Sequence, residues 1–323
     1  MSVPVLLFIY CVAIIAASLL GGFIPHLVRL THTRMQTALS FVAGAMLGVG
    51  ILHLVPHAYM MVGSIDRTMW FVLAGFLLMF FIERAFHFHH HDAPADPAEP
   101  EAPAHACDHE HHRPHEHAHD DAHAHAHDHD HVHNHSHSHD HAHGTTSQIG
   151  WGPALFGLGL HSLLDGVALA AGVAAERSEH SDLPWSGIAI FLVIALHKPL
   201  DSLTLGALMA VAGRSVRHRH LVNVGYALSV PLGALLFQAG LLTFGGSDNM
   251  VIGCVLALAA GTFLCISTSD LLPELQFHSH NRLQLSFALL AGLALAGGIV
   301  FLESTGHDHT HQRAPAVSAA AKS

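Results

Sequence analysis

Two short stretches carry the residues best suited to chemistry. "HSLLDG" holds His161 and Asp165, and "LHKPLDSL" holds His197 and Asp201. Each pair is spaced i, i+4, so on a helix both members share one face. Two such helices side by side would bring two imidazoles and two carboxylates together. That is a four-coordinate donor set suited to a borderline-soft divalent ion such as zinc. A lone histidine in an apolar helix is adequately explained by an interhelical hydrogen bond. Two His-x-x-x-Asp pairs on neighbouring helices are better explained as metal ligands.

Between His197 and Pro199 stands Lys198, and its setting is apolar. A charge at mid-membrane depth costs a few kcal/mol unless it is paired. Lys198 projects near the two carboxylates on a different face from His197, and is expected to pair with Asp165 or Asp201. An ammonium there occupies the place of a second cation, so the site should hold one metal ion. Pro199 removes one backbone hydrogen bond and can kink its helix, and Gly166 permits close helix approach.

The elements that position these residues are membrane helices. The chain has 323 residues, 51% apolar and 11% charged. Apolar runs near the roughly 20 residues a spanning helix needs recur eight times. They lie at about 4–25, 36–58, 68–86, 150–174, 186–210, 221–242, 250–273 and 284–303. The first lacks a basic n-region and is taken as a span rather than a signal peptide. The fold class is therefore an all-α integral membrane protein of eight transmembrane helices. Cys11, Cys107, Cys254 and Cys265 form no CxxC pair, and three of them fall in spans, which argues against disulfides and thiolate metal sites.

A second pattern links distant spans. "AGAMLGVGILHLVPHA" (43–58) aligns without gaps with "AGTFLCISTSDLLPEL" (260–275), at an offset of 217. The same offset matches Ala74-Gly75 with Ala291-Gly292. Partners five spans apart run in opposite directions through the bilayer, so this is an inverted repeat of the kind found in alternating-access transporters. The plan is 3+2+3: spans 1–3 and 6–8 repeat, with spans 4 and 5 between them. In this register His53 and His57 fall opposite Asp270 and Glu274. The former are expected to line an entrance and the latter an exit. Met46 is a further candidate, as a thioether on the entrance side.

Residues 87–148 differ in kind. They hold 22 of the 36 histidines, twelve acids and one arginine, and account for the net charge of −11. The histidines alternate with small or acidic residues at His123, His125, His127, His129, His131, His133, His135, His137, His139, His141 and His143. Nothing there forms a core, so disorder is expected, with a metal-buffering role. "HDHTH" at 307–311 is a weaker case. Because the acidity is confined to one loop, it says nothing of nucleic acid, and none is expected as a partner.

Loop arginines orient the chain. Arg29, Arg34, Arg84, Arg113, Arg214, Arg217, Arg219 and Arg282 lie on one side, against Arg67, Arg177, Arg313 and Lys322 on the other. The excess places both termini outside and the histidine-rich loop in the cytoplasm. The expected divisions are 1–86 (spans 1–3), 87–148 (the loop), 149–210 (spans 4–5 with the metal site), 211–305 (spans 6–8) and 306–323 (an external tail).

These motifs resemble those of the ZRT/IRT-like (ZIP) family of divalent-metal transporters. "GTFLCISTSDLLPEL" is the strongest signal, followed by "HSLLDG", the span 5 histidine and the histidine-rich loop. The resemblance covers all eight spans and implies a 3+2+3 helical fold that moves Zn2+, or Fe2+, Mn2+, Cd2+, Co2+ or Ni2+, into the cytoplasm. It implies no organic cofactor and no enzymatic activity. Family members often carry a dinuclear centre, with an Asn after the span 4 histidine, an acid after the span 5 histidine and an acid before the span 6 proline. Here those positions are Ser162, Lys198 and Val230, as in the branch with "HS" in span 4 and "HK" in span 5. His161, Asp165, His197 and Asp201 match the primary site, which agrees with a mononuclear centre. The lipid bilayer and divalent metal ions are the expected partners. The oligomeric state stays open, a homodimer included. Short loops and the lack of a transit peptide suggest a bacterial cytoplasmic membrane.

Other classes remain in view. A cation-diffusion-facilitator exporter also uses His-x-x-x-Asp pairs, but normally has six spans and a cytoplasmic C-terminal domain. An intramembrane zinc hydrolase would need a general base that is not evident. A metal storage or sensing protein would make the loop its working part.

Overall fold

A computed structural model describes residues 2–27, 31–86, 151–179, 185–243, 249–277 and 282–311. The described residues are helical, with no strand among them. Among the described residues, eight helices are long and apolar enough to cross a membrane: Val3–Phe23, Thr33–Val62, Ile65–Ala85, Trp151–Ser178, Ile188–Val211, Val216–Thr243, Asn249–Ser269 and Arg282–Leu302. They are numbered spans 1–8 below. They match the expected runs to within several residues at each end, as helix termini generally do. The segment 87–148, with its histidines 123–143, lies outside the described residues.

Two spans are interrupted, and in each a proline accounts for it. In span 2 the α-helix His32–Val49 passes through a π-helical turn, Gly50–Leu54, before resuming as Val55–Val62. Pro56 has no N–H to give the carbonyl of Leu52, and the wider turn absorbs that loss. His53 sits inside it. In span 6, Val216–Ala227 and Ser229–Thr243 meet at Leu228. Pro231 cannot donate to the carbonyl of Ala227, so the helix breaks one residue later. The start of span 6 is set by Ser215, whose hydroxyl accepts from the N–H of His218. Pro199, by contrast, lies within a helix that continues from Ile188 to Val211.

The packing obeys the internal repeat. The principal pairings are span 2 with span 8, span 3 with span 7, span 1 with span 5, and span 4 with span 6. Exchanging 1 for 6, 2 for 7, 3 for 8 and 4 for 5 maps this set onto itself. The register follows at the level of single residues. A Cβ on Gly44 would collide with the carbonyl of Leu289, and one on Gly261 with the carbonyl of Val72. A Cβ on Gly75 would meet the Leu258 carbonyl, and one on Gly292 the Phe41 carbonyl. Each contact becomes its counterpart when 217 is added to the lower number and subtracted from the higher one. Closely packed backbones of this kind require residues without a side chain.

Spans 4 and 5 exchange with an offset of 36, which takes His161 to His197 and Asp165 to Asp201. Gly233 faces the carbonyl of Leu163, and Gly21 faces that of Pro199. Gly166 faces the carbonyl of Val230, and at the equivalent place Ser202 hydrogen-bonds Ser18, Oγ to Oγ at 2.7 Å. The two His-Asp pairs are thus related by the same operation that relates the outer spans, which is why they meet.

Candidate metal centre

His161 and Asp165 come from span 4, His197 and Asp201 from span 5. His161, Asp165, His197 and Lys198 are buried, and Asp201 is partly so. The His161 and His197 rings lie 5.5 Å apart, centroid to centroid. His197 Nε2 is 3.1 Å from Asp165 Oδ2 and 4.0 Å from Asp201 Oδ2. His161 Nε2 is 3.5 Å from Asp165 Oδ2 and 4.0 Å from Asp201 Oδ2. Ligand atoms of His161, His197 and Asp201 all lie within 4.8 Å of one another. Asp165 touches both histidines but leans toward the lysine.

The tautomer of His197 is fixed by its own helix. Its Nδ1 is 2.9 Å from the carbonyl of Val193, which can only accept, so Nδ1 carries the proton. Nε2 then points at the carboxylates, 3.1 Å from Asp165 Oδ2. A histidine anchored through one nitrogen and open at the other is arranged as metal-ligating histidines are.

Lys198 is buried as deeply as Asp165. Its Nζ lies 2.6 Å from Asp165 Oδ2 and 3.1 Å from Asp201 Oδ2, and donates to Ser162 Oγ at 3.0 Å. It therefore pairs with both acids rather than one, and all three ammonium protons have acceptors. From Ser162 the chain of donors continues. Ser162 Oγ donates to Tyr226 Oη at 2.8 Å, and Tyr226 donates to Asp201 Oδ2 at 2.9 Å. The Lys198–Ser162–Tyr226–Asp201 ring closes on itself, and Tyr226 also lies beneath the ammonium, 5.7 Å from ring centroid to Nζ. Tyr226 comes from span 6, two residues before that helix breaks at Leu228.

The other candidates are dispersed. Met46 is buried in the apolar core shared by spans 1, 2, 4, 5, 6, 7 and 8. His53 lies on span 2, with Nε2 3.1 Å from Oε1 of Glu176, and the ring of His57 meets it edge-on at 4.6 Å. Asp270 and Glu274 belong to the helix Asn249–Phe277, and their side chains lie outside the described residues. Tyr226 and Glu176 escaped the sequence reading. The signal for Glu176 was its spacing: it lies eleven residues, three turns, beyond Asp165 on one face of span 4.

Eight helices long and apolar enough to cross a membrane, in an inverted repeat closed around a buried His/Asp group, define a multi-pass membrane protein. The model of the family described as ZIP zinc transporter matches residues 5–301, and this chain belongs to that family. Among its relatives are zinc transporter ZIP9-B of Xenopus laevis, 32% identical over 165 residues, 47% of this chain and 52% of that protein. Zinc transporter ZIP3 of Bos taurus is 28% identical over 151 residues, 46% and 45% of the two chains. Zinc transporter ZIP1 of Homo sapiens is 29% identical over 151 residues, 46% and 43%. The matches span about half the length of these relatives.

Proposed function

We propose that this protein carries a divalent metal ion, zinc foremost, across a membrane through one intramembrane site. The observation that supports this most is the meeting of two imidazoles and two carboxylates around a single buried lysine, in a chain of the ZIP family. His161, Asp165, His197 and Asp201 replace the ion's water. Lys198 holds the position of a second cation, so one ion is carried at a time. One group of helices then rocks against the other and exposes the site to the opposite face.

Direction and setting are part of the same reading. His53 and His57 line the approach, with Met46 deeper on the same span, and the ion leaves past Asp270 and Glu274 to the cytoplasm. Both termini lie outside. Residues 87–148 form a cytoplasmic loop whose histidines, 123–143, hold arriving metal. Residues 1–86, 149–210 and 211–305 are the membrane part, and 306–323 an external tail. The protein resides in a bacterial cytoplasmic membrane, carries no organic cofactor, is not an enzyme, and is free to pair as a homodimer. Fe2+, Mn2+, Cd2+, Co2+ and Ni2+ are alternative cargoes.

Oriented proteoliposomes with an interior zinc dye test this reading. Inward flux that survives deletion of residues 89–143 supports an importer whose spans do the work. Flux only outward, and only with a proton gradient, would favour an exporter. Absence of flux for every divalent ion, with lipid turnover instead, would favour a hydrolase.

A further inference from the structure

Among the described residues, two of the groups of buried polar contacts contain His–carboxylate pairs. One is the centre described above. The other lies where span 2 ends, span 4 ends and span 5 begins, on the face that carries the 62–65 connection. Glu176 is only 5% exposed there and His53 2%. Its carboxylate is held at both oxygens. Oε2 accepts from the N–H of Gly187 at 2.7 Å, and Oε1 faces Nε2 of His53 at 3.1 Å. Gly187 has a φ of 79°, in the left-handed region, which turns the chain into span 5 and aims that N–H. His57, one turn beyond His53, sets its half-buried ring against that of His53.

We infer that His53, His57 and Glu176 form a second divalent-cation site of the zinc type, separate from the central one. Two imidazoles and a carboxylate are a common zinc donor set. The His53–Glu176 separation approximates the edge of about 3.3 Å expected between two ligands bonded to one ion at about 2.0–2.1 Å. The ion takes the place of the proton shared by Nε2 and Oε1. The Gly187 N–H orients the carboxylate from behind, as outer hydrogen bonds orient metal-ligating carboxylates. The π-helical turn, which displaces one helical step, is what sets His53 against span 4. Glu176 lies eleven residues beyond Asp165, about 16 Å along the helix, so the two sites are occupied independently. The inference deepens the transport reading and rests on it only for the role, which is to capture the ion before it reaches the centre. Binding itself does not depend on that reading.

The test follows one thiol in the full-length protein. His57→Cys places a metal-binding thiol at the half-buried position, and its reaction with a methanethiosulfonate reagent is followed with and without zinc. Labelling of the four native cysteines is measured in wild type and subtracted. Zinc should slow labelling at least tenfold. Glu176→Gln should raise the half-protecting zinc concentration at least tenfold, and Asp201→Ala should leave it unchanged. An unchanged value in Glu176→Gln, or loss of protection in Asp201→Ala, overturns the second site whether or not the protein transports. If the introduced thiol does not react, zinc uptake decides. The amide oxygen in Glu176→Gln can still accept from the Gly187 N–H, so the fold is kept. Half-saturation should rise at least tenfold at a maximal rate within twofold of wild type, and Glu176→Asp should recover part of the loss. Equal half-saturation in Glu176→Gln and wild type contradicts the site.

Discussion

Lys198 Nζ lies 2.6 Å from Asp165 Oδ2, with both side chains 1% exposed. Two histidines converge on the same acid. A permanent cation is therefore built into the place where a metal would bind, tied down by Asp165, Asp201 and Ser162. The arrangement makes the lysine a competitor for the carboxylates as well as their partner. It halves the negative charge the ion meets.

Removing that cation should be costly and informative. Lys198→Ala leaves buried Asp165 and partly buried Asp201 without their partner, and breaking a buried pair costs about 3–5 kcal/mol. The thermal midpoint in nanodiscs should fall by several degrees. Zinc should restore more of the lost stability than it adds to wild type, because it now neutralises both acids. A variant that matches wild type in both midpoint and zinc response would contradict the role given to Lys198.

Tyr226→Phe removes one hydrogen bond to Asp201 while keeping the ring. A hydrogen bond to a charged group contributes about 1.5–3 kcal/mol. The half-saturation concentration for zinc should change by roughly tenfold or more with little change in expression. Ser162→Ala, which breaks the same ring one step earlier, should act in the same direction and combine with Tyr226→Phe less than additively. Additive effects would show that the ring does not act as a unit.

Proton competition sets the pH dependence. A protonated imidazole cannot ligate, so metal binding by His161 and His197 weakens as pH falls. The half-saturation concentration should rise steadily on acidification, with maximal rate less affected. Stronger zinc binding at low pH would contradict a histidine-bearing site.

The two-fold packing makes a paired prediction. Gly44→Val and Gly261→Val each drive a side chain into the carbonyl across the interface, Leu289 in one case and Val72 in the other. The two should lower the thermal midpoint by similar amounts. Gly159→Val, where nothing lies within 4 Å, should leave it nearly unchanged.

Much of this was legible in residue order because membrane spans obey strong rules. Apolar runs mark helices, and the offset of 217 that links Gly44 to Gly261 is the offset their contacts obey. The His-x-x-x-Asp pairs could be placed on one face each from helical period alone. What periodicity cannot supply is which third helix closes the site. Tyr226 reaches Asp201 from span 6, just before that helix breaks at Leu228, and a tyrosine in an apolar span otherwise suggests packing. Glu176 sits in "AAERSE", which has the composition of a solvated helix end. It is buried against Gly187 and His53, and His53 lies in a π-helical turn, a local widening that no pattern of apolar residues announces.

The most direct test of the central claim is initial zinc flux into oriented proteoliposomes for wild type and the His161→Ala, Asp201→Ala double variant. Removing one imidazole and one carboxylate should abolish saturable flux while the protein stays folded and the 87–148 segment is intact. Flux at the wild-type rate in the double variant would contradict a transport site built from spans 4 and 5.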